Sequence, residues 1–400
     1  MSSSGALVAV VLPRPSAAGA VVAAWEAGEA VLPLDVDAPA PDLAAILAAA
    51  RPTHLVDGDG RRALPGGLPV EAGVAAVVAT SGTGGTPKLV ELGADAIAWS
   101  ARATSRSLDA GPGDRWLCCV PVHGVAGLAV VARAWHTGLP VEVHDRFDPA
   151  AVADAAGRAT LVSLVPAQLR RLLAAGDQAA RFRRVLLGGG PIPADLAADA
   201  TARGVHLVRT YGLTETFGGM AHDGHPLDGV ELRADPEGEL LVRGPMLFRR
   251  YRGDPARTAA VLRDGWLHTG DLGRVAPDGR VTVLGRRDDL VITGGVNVHP
   301  DEVEAVLATH PQVAEAAVAG RADPEWGQRV VAFVVPERPD HPPTLDDLRG
   351  YALQRLAPAK APRELVLVPS LPRTVSGKLL RRLLPDGEAN VDAGLGRHLP

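Results

Sequence analysis

The side chains of this sequence best suited to nucleotide chemistry are a hydroxyl beside a carboxylate, an aspartate after a tight turn and a late lysine. They stand in Tyr211-Gly212-Leu213-Thr214-Glu215, in Gly265-Trp266-Leu267-His268-Thr269-Gly270-Asp271 and in Ser376-Gly377-Lys378. A further stretch, Thr80-Ser81-Gly82-Thr83-Gly84-Gly85-Thr86-Pro87-Lys88, crowds glycines and hydroxyls around a lysine. Small residues let backbone N–H groups face a polyphosphate, and the hydroxyls and ammonium add donors. The stretch is not a Walker A loop, because Pro87 takes the second glycine position and Leu89 replaces Ser or Thr. Alone, such a turn is equally a plain surface loop. Read together, the segments point to a site that holds ATP and makes an acid reactive.

The same weighing applies residue by residue. Magnesium favours oxygen ligands and usually takes one or two carboxylates plus phosphates, which suits a lone Glu215 beside ATP. The plain alternative is a helix N-terminal charge favoured by the dipole. An aspartate at 271 can accept both hydroxyls of a ribose. Gly188-Gly189-Gly190-Pro191 reads as a strand-to-helix turn.

Elements of regular spacing must position these residues. Val74–Ala79, Arg115–Val120, Thr160–Val165, Arg184–Leu187 and His206–Arg209 read as buried strands. Ala94–Ser107, Val125–Trp135, Pro166–Ala175 and Ala194–Arg203 read as the helices between them. That alternation predicts a parallel sheet covered on both faces, with ligands at the carboxyl ends of its strands. The loops at 80–88, 121–127, 188–191 and 210–216 follow such strands, and a helix is expected after Glu215. Residues 228–284 hold short β-like runs separated by Pro236-Glu237-Gly238 and Pro277-Asp278-Gly279, the pattern of a small antiparallel subdomain. Beyond Arg286 the pattern becomes βαββαβ-like, ending in a loose Gly-, Asp- and Asn-rich terminus. The expected class is α/β, with a large N-terminal domain of doubly wound sheets over 1–285 that includes the β-rich 228–284. A small, mobile α+β domain follows over 286–400.

These motifs, in this order, resemble the adenylate-forming superfamily of acyl-CoA synthetases, peptide-synthetase adenylation domains and luciferases. The resemblance implies that Thr80, Ser81, Gly82, Thr83 and Lys88 grip the β- and γ-phosphates of ATP. It also implies that Gly188, Gly189 and Gly190 lie against adenine and that Tyr211 stacks on it. Thr214 would donate to the α-phosphate, Glu215 hold Mg²⁺, and Asp271 and Arg286 hold the ribose. Asp288 matches the hinge about which the small domain swings, and Gly294 and Gly295 match the pantetheine tunnel. Lys378, in Pro372-Arg373-Thr374-Val375-Ser376-Gly377-Lys378, matches the lysine that neutralises charge during adenylation. The loop Pro121–Leu128 resembles one wall of the acid pocket, with His123 one position from the usual histidine and Gly124 in its place. Gly84 and Leu89 are further departures from the pattern.

The phrases at 163–173, 186–193 and 211–230 look most like o-succinylbenzoyl-CoA synthetases. The implied reaction joins o-succinylbenzoate to coenzyme A with ATP and Mg²⁺, by way of an acyl-adenylate. A carrier protein ending in pantetheine is the alternative acceptor, and a non-catalytic nucleotide-binding relative the alternative class.

Bulk properties fit. The chain has 400 residues, 46% apolar and 22% charged, with a net charge of -5, which argues against nucleic acid as a partner. No stretch approaches the ~20 apolar residues of a membrane span. Cys118 and Cys119, adjacent in an apolar run, offer no disulfide framework and fit a reducing cytoplasm. A homodimer stays open as the oligomeric state.

Overall fold

The computed structural model describes residues 5–80, 87–373 and 379–385. The chain divides into two compact units: residues 1–269 with 274–282, and residues 270–273 with 283–400.

The first unit holds two seven-stranded sheets. In the first, Ala30–Leu34 runs parallel to Leu7–Val11 and to Val74–Thr80. Val74–Thr80 then folds back on Lys88–Gly93 as an antiparallel pair with Thr80 opposite Lys88. This departs from the expected single parallel sheet, since the 74–80 strand does not join the strands that follow it. The physical reason is a connection too short for a crossover helix. The few residues between Thr80 and Lys88 allow a hairpin but not a parallel return.

The second sheet is the doubly wound one. Trp116–Cys118, Leu161–Leu164, Arg184–Leu187 and the start of Leu207–Leu213 are parallel neighbours. Ala94–Ser107, Val125–Thr137 and Arg14–Glu26 contribute to one apolar core with residues from both sheets, including Val31, Val90, Trp116, Leu186 and Met220. Trp25 ties these layers together. Its ring lies 5.2 Å from that of Trp135, and its Nε1 donates to the Ala75 carbonyl at 2.9 Å. A separate core lies under Pro149–Ala155 and Pro166–Ala175 around Val162, Leu169 and Phe182.

Between 231 and 243 the chain forms the expected antiparallel pair, Glu231–Ala234 against Glu239–Arg243. The second unit is an α+β body. Val313–Asp323 and Gly327–Pro336 pair along nearly their whole length, and Glu364–Leu367 adds in parallel. The helices Pro300–Leu307 and Leu345–Leu353 supply Val303, Leu307, Leu348 and Ala352 to its core.

One contact in the first unit joins distant parts of the sequence. Glu91 is fully buried, and its two carboxylate oxygens receive Arg250 Nε at 2.7 Å and Arg252 Nη1 at 2.8 Å. The two-residue strand Arg250–Tyr251 is thereby held against Lys88–Gly93, with Arg250 opposite Glu91 and Tyr251 opposite Val90. Arg252 is 9% exposed and Arg250 36%, so water screens only the second pairing appreciably. A Glu91→Ala variant takes the buried carboxylate from Arg252 and leaves Arg250 with Glu71 alone, and should lose about 3 kcal/mol of stability. The midpoint of urea unfolding measures it, and an unchanged midpoint would show that water replaces the carboxylate.

Candidate adenylation site

The strand Leu207–Leu213 carries Tyr211 into the sheet and ends at a single turn of 3₁₀ helix, Thr214–Thr216. The chain then reverses through Phe217 into Gly218–His222, antiparallel to the strand it has just left. The helix expected after Glu215 is therefore absent, and with it the expected helix N-terminus. What fixes the turn is side-chain bonding. Thr216 is fully buried, and its hydroxyl accepts from the Leu213 N–H at 2.9 Å and donates to the Gly218 carbonyl at 2.7 Å. A Cβ on Gly212 would run into the Gly218 carbonyl oxygen, so the hairpin closes only over glycine.

Glu215, half-buried, is held twice by the strap after residue 247. Phe248 N–H donates to its carbonyl at 2.7 Å, and Tyr251 Oη donates to its Oε1 at 2.6 Å. Lys88 Nζ stands 5.9 Å from the centre of the Tyr251 ring. The structure thus brings Glu215 and Lys88 to the two sides of one tyrosine. Thr80 pairs with Lys88 across the hairpin, whereas Ser81, Gly82, Thr83 and Gly84 lie outside the described residues. Gly188 and its neighbours follow Arg184–Leu187, and Gly188 packs on Thr210 just before Tyr211. Gly188 and Tyr211 thus share one end of the second sheet, whereas Thr80 and Lys88 belong to the first.

His123 lies elsewhere in the first unit. Its Nδ1 is 3.9 Å from Asp35, and it lines a pocket of about 200 Å³ with Arg14, Asp35, Asp37 and Asp145. Burial, opposed by Asp35, holds its pKa below the ordinary value.

In the second unit Arg286 Nη1 donates to Asp271 Oδ1 at 2.8 Å, and Asp271 is 5% exposed. Asp288 sits in the turn between Val281–Arg286 and Val291–Thr293. Gly294 and Gly295 form the two-residue reversal between Val291–Thr293 and Val296–Val298, at φ +56° and +76°. A Cβ on Gly294 would lie 2.7 Å from the Trp326 ring. Lys378 and the expected loose terminus lie outside the described residues. Three residues on from Lys378, Arg381 is gripped by Asp289, Asp301 and Glu304 at 2.6 to 3.2 Å.

Sequence reasoning missed a second polar group in the first unit. Arg133 lies in the helix Val125–Thr137, which is apolar up to it, and is 4% exposed. Its Nη1 donates to Ser163 Oγ at 3.2 Å, its guanidinium stands 5.0 Å from the Trp116 ring centre, and its Nε is buried without a partner. Among the described residues no carboxylate pairs with it. Burial pushes its pKa down to about 10, so it stays charged at neutral pH. Ser163, Leu186 and Val208 are in register across three strands, and Thr210 and His222 face each other on the next pair. With side chains alternating, Ser163, Thr210 and His222 share the sheet face that this helix covers. Thr210 Oγ1 and His222 Nε2 are also buried without partners. A lone Arg in the run Val125–Thr137 was the available signal.

The pattern of AMP-binding enzymes matches residues 62–252, and that of the AMP-binding enzyme C-terminal domain matches 302–378. The chain is 44% identical to the probable 2-succinylbenzoate–CoA ligase of Mycobacterium tuberculosis, over 80% of this chain and 86% of the relative. The chain belongs to the AMP-binding enzyme family. Among solved structures it resembles o-succinylbenzoate CoA synthetase (MenE) from Bacillus subtilis in complex with the acyl-adenylate OSB-AMP. The TM-score there is 0.86 at 29% identity, covering 96% of this chain and 89% of that one. ATP-bound MatB from Rhodopseudomonas palustris superposes with a TM-score of 0.85 at 27% identity, over 95% of this chain and 88% of that one. An AMP-forming ligase uses ATP with magnesium, and the donor set here fits that ion. Among the described residues no group of three ligating side chains forms a self-sufficient metal site. A single placed carboxylate is what a magnesium ion shared with phosphates requires.

Burial pushes the pKa of His222 down to about 4. The folded chain therefore binds fewer protons there than the unfolded chain does, whose histidine titrates near its ordinary value of about 6.5. Stability present above pH 6.5 should fall by about 3 kcal/mol as pH drops toward 4. A His222→Asn variant should flatten that slope in urea unfolding followed from pH 7 to 4.5. An unchanged slope would assign the proton uptake to other groups.

Proposed function

We propose that the chain is an acid–thiol ligase that adenylates 2-succinylbenzoate with ATP and passes the acyl group to coenzyme A. Arg133 carries the choice of acid. A guanidinium sealed under a helix, with no carboxylate among the described residues to balance it, costs several kcal/mol unless a ligand supplies the charge. 2-Succinylbenzoate has two carboxylates, one to be activated and one left over. We assign the left-over carboxylate to Arg133, with Thr210 and His222 as neutral donors beside it. His222 is fit for this because its depressed pKa keeps the ring neutral, so Nε2 can carry a proton without adding charge.

The chemistry follows from the donor set. The free carboxylate of the acid attacks the α-phosphorus, the bond to pyrophosphate breaks, and an acyl-adenylate forms. Lys88 and the hydroxyls of Thr80, Ser81 and Thr83 are assigned to the leaving phosphates, with the loop glycine Gly82. Thr214 is assigned to the α-phosphate, Tyr211 and Gly188–Gly190 to adenine, and Asp271 and Arg286 to the ribose. Glu215 would hold the magnesium ion, which when bound draws charge from the phosphate oxygens. Lys378 is assigned to the negative charge that builds between carboxylate and phosphate. Rotation about Asp288 then withdraws that lysine and turns the Gly294-Gly295 reversal toward the incoming pantetheine. The sulfur of coenzyme A attacks the acyl carbon, the bond to AMP breaks, and the thiol proton passes to solvent. His123 is assigned to the rim of the acid site on its place in the loop after Trp116–Cys118 alone, since its nearest charged neighbour is Asp35. Among the described residues no helix is long and apolar enough to cross a membrane. With both cysteines reduced, we place the enzyme in the cytoplasm.

Pyrophosphate release with ATP and Mg²⁺ tests the reading, using 2-succinylbenzoate and two analogues that each lack one carboxylate. Acyl-CoA should appear only when coenzyme A is added. An Arg133→Met variant should raise KM for the dicarboxylate about 30-fold or more while leaving the poor analogue almost unchanged. Its melting temperature should hold or rise, because an apolar side chain replaces a buried charge. Equal KM values for wild type and variant would remove Arg133 from acid recognition.

A further inference from the structure

We propose that Tyr251 is a positioning residue that sets the Glu215 carboxylate for a divalent cation and couples it to Lys88. The proposal rests on the assignment of Glu215 as the magnesium ligand. Tyr251 is 4% exposed and comes from a strand of only two residues, 36 positions beyond Glu215. Its hydroxyl gives Glu215 Oε1 a bond of 2.6 Å, in the range of charge-assisted O–H···O⁻ bonds. A carboxylate in the middle of a single 3₁₀ turn has three free side-chain torsions, and this bond fixes the plane of the group. Outer partners of this kind govern how a ligand meets its metal.

The tyrosine is fixed in turn by its own contacts and by those of its neighbours in the strap. Its backbone N–H donates to Thr258 Oγ1 at 3.0 Å, and its ring packs on Phe248 at 4.9 Å between centres. Phe248 itself donates to the Glu215 carbonyl, so one strap holds both ends of that residue. Arg250 and Arg252, on either side of Tyr251, close on the buried Glu91 of the strand that Lys88 begins. The ammonium of Lys88 at 5.9 Å from the ring centre lies within reach of cation–π attraction. A single side chain therefore sets the spacing between the cation-holding group and the phosphate-holding group.

The test is ATP binding by calorimetry, with saturating Mg²⁺ and again with EDTA, on wild type and Tyr251→Phe. The substitution removes one oxygen and keeps the ring packed on Phe248. Affinity in Mg²⁺ should fall about 10-fold to 100-fold, with affinity in EDTA unchanged. Mn²⁺ binding to the ATP complex, followed by electron paramagnetic resonance, should weaken by a similar factor. In a Glu215→Gln background Tyr251→Phe should add little, because both variants break one link. Equal Mg²⁺ affinity in Tyr251→Phe and wild type would overturn the proposal. So would an equal loss in Mg²⁺ and in EDTA, which is the mark of a merely structural tyrosine. A wild type whose ATP affinity ignores Mg²⁺, with Glu215→Gln equally indifferent, would instead overturn the assignment of Glu215, and this proposal with it. None of these readings depends on which acid the enzyme activates.

Discussion

A buried carboxylate between two guanidinium groups organises the first unit. Glu91 lies on a strand interior with no water to solvate it, so its charge is tolerable only while Arg250 and Arg252 are in place. That requirement fixes a segment 159 residues further along the chain to the edge of the first sheet. A two-residue strand has too few backbone bonds to hold itself there. The ion cluster supplies what the ladder lacks, and through Tyr251 and Phe248 it reaches the turn of Glu215. Positions that belong to the two separate sheets are thereby locked at one spacing.

Where an element is decided by its own periodicity and flanking residues, it was legible. The helices Ala94–Ser107 and Pro166–Ala175 and the strand Arg184–Leu187 begin and end where periodicity and flanking turn residues put them. The family order of motifs was likewise readable, because each is a short string whose residue types follow from phosphate and ribose chemistry. What failed depended on pairing. Val74–Thr80 looks like one more strand of an alternating series, and nothing within it says that Lys88–Gly93 folds back on it. Thr214–Thr216 looks like the first turn of a helix, and only the antiparallel return of Gly218–His222 shows that it is not.

The site followed the same rule. Tyr211, Thr214, Glu215 and Asp271, the residues proposed for the nucleotide, stand in motifs and so could be named from the sequence. Tyr251 could not, since the sequence Arg249-Arg250-Tyr251-Arg252 reads as a solvated basic run until Glu91 is known to lie beneath it. Arg133 was a different omission. A single cation in the apolar string Val125–Thr137 has a periodicity that could be tested, and its burial against Ser163 follows from the helix face it occupies.

The two cysteines bear on what kind of catalyst this is. An acyl-adenylate is a strong electrophile, and an enzyme that makes one must not be acylated by its own thiols. Cys118 and Cys119 are both fully buried, and burial pushes the Cys118 thiol up to about 12, with Cys119 raised as well. At neutral pH both are therefore held as thiols and not as the thiolate, the form that attacks. The chain thus contains sulfur but withholds it from the reaction. Chemoselectivity is settled by packing, and the nucleophile that discharges the adenylate has to arrive from outside.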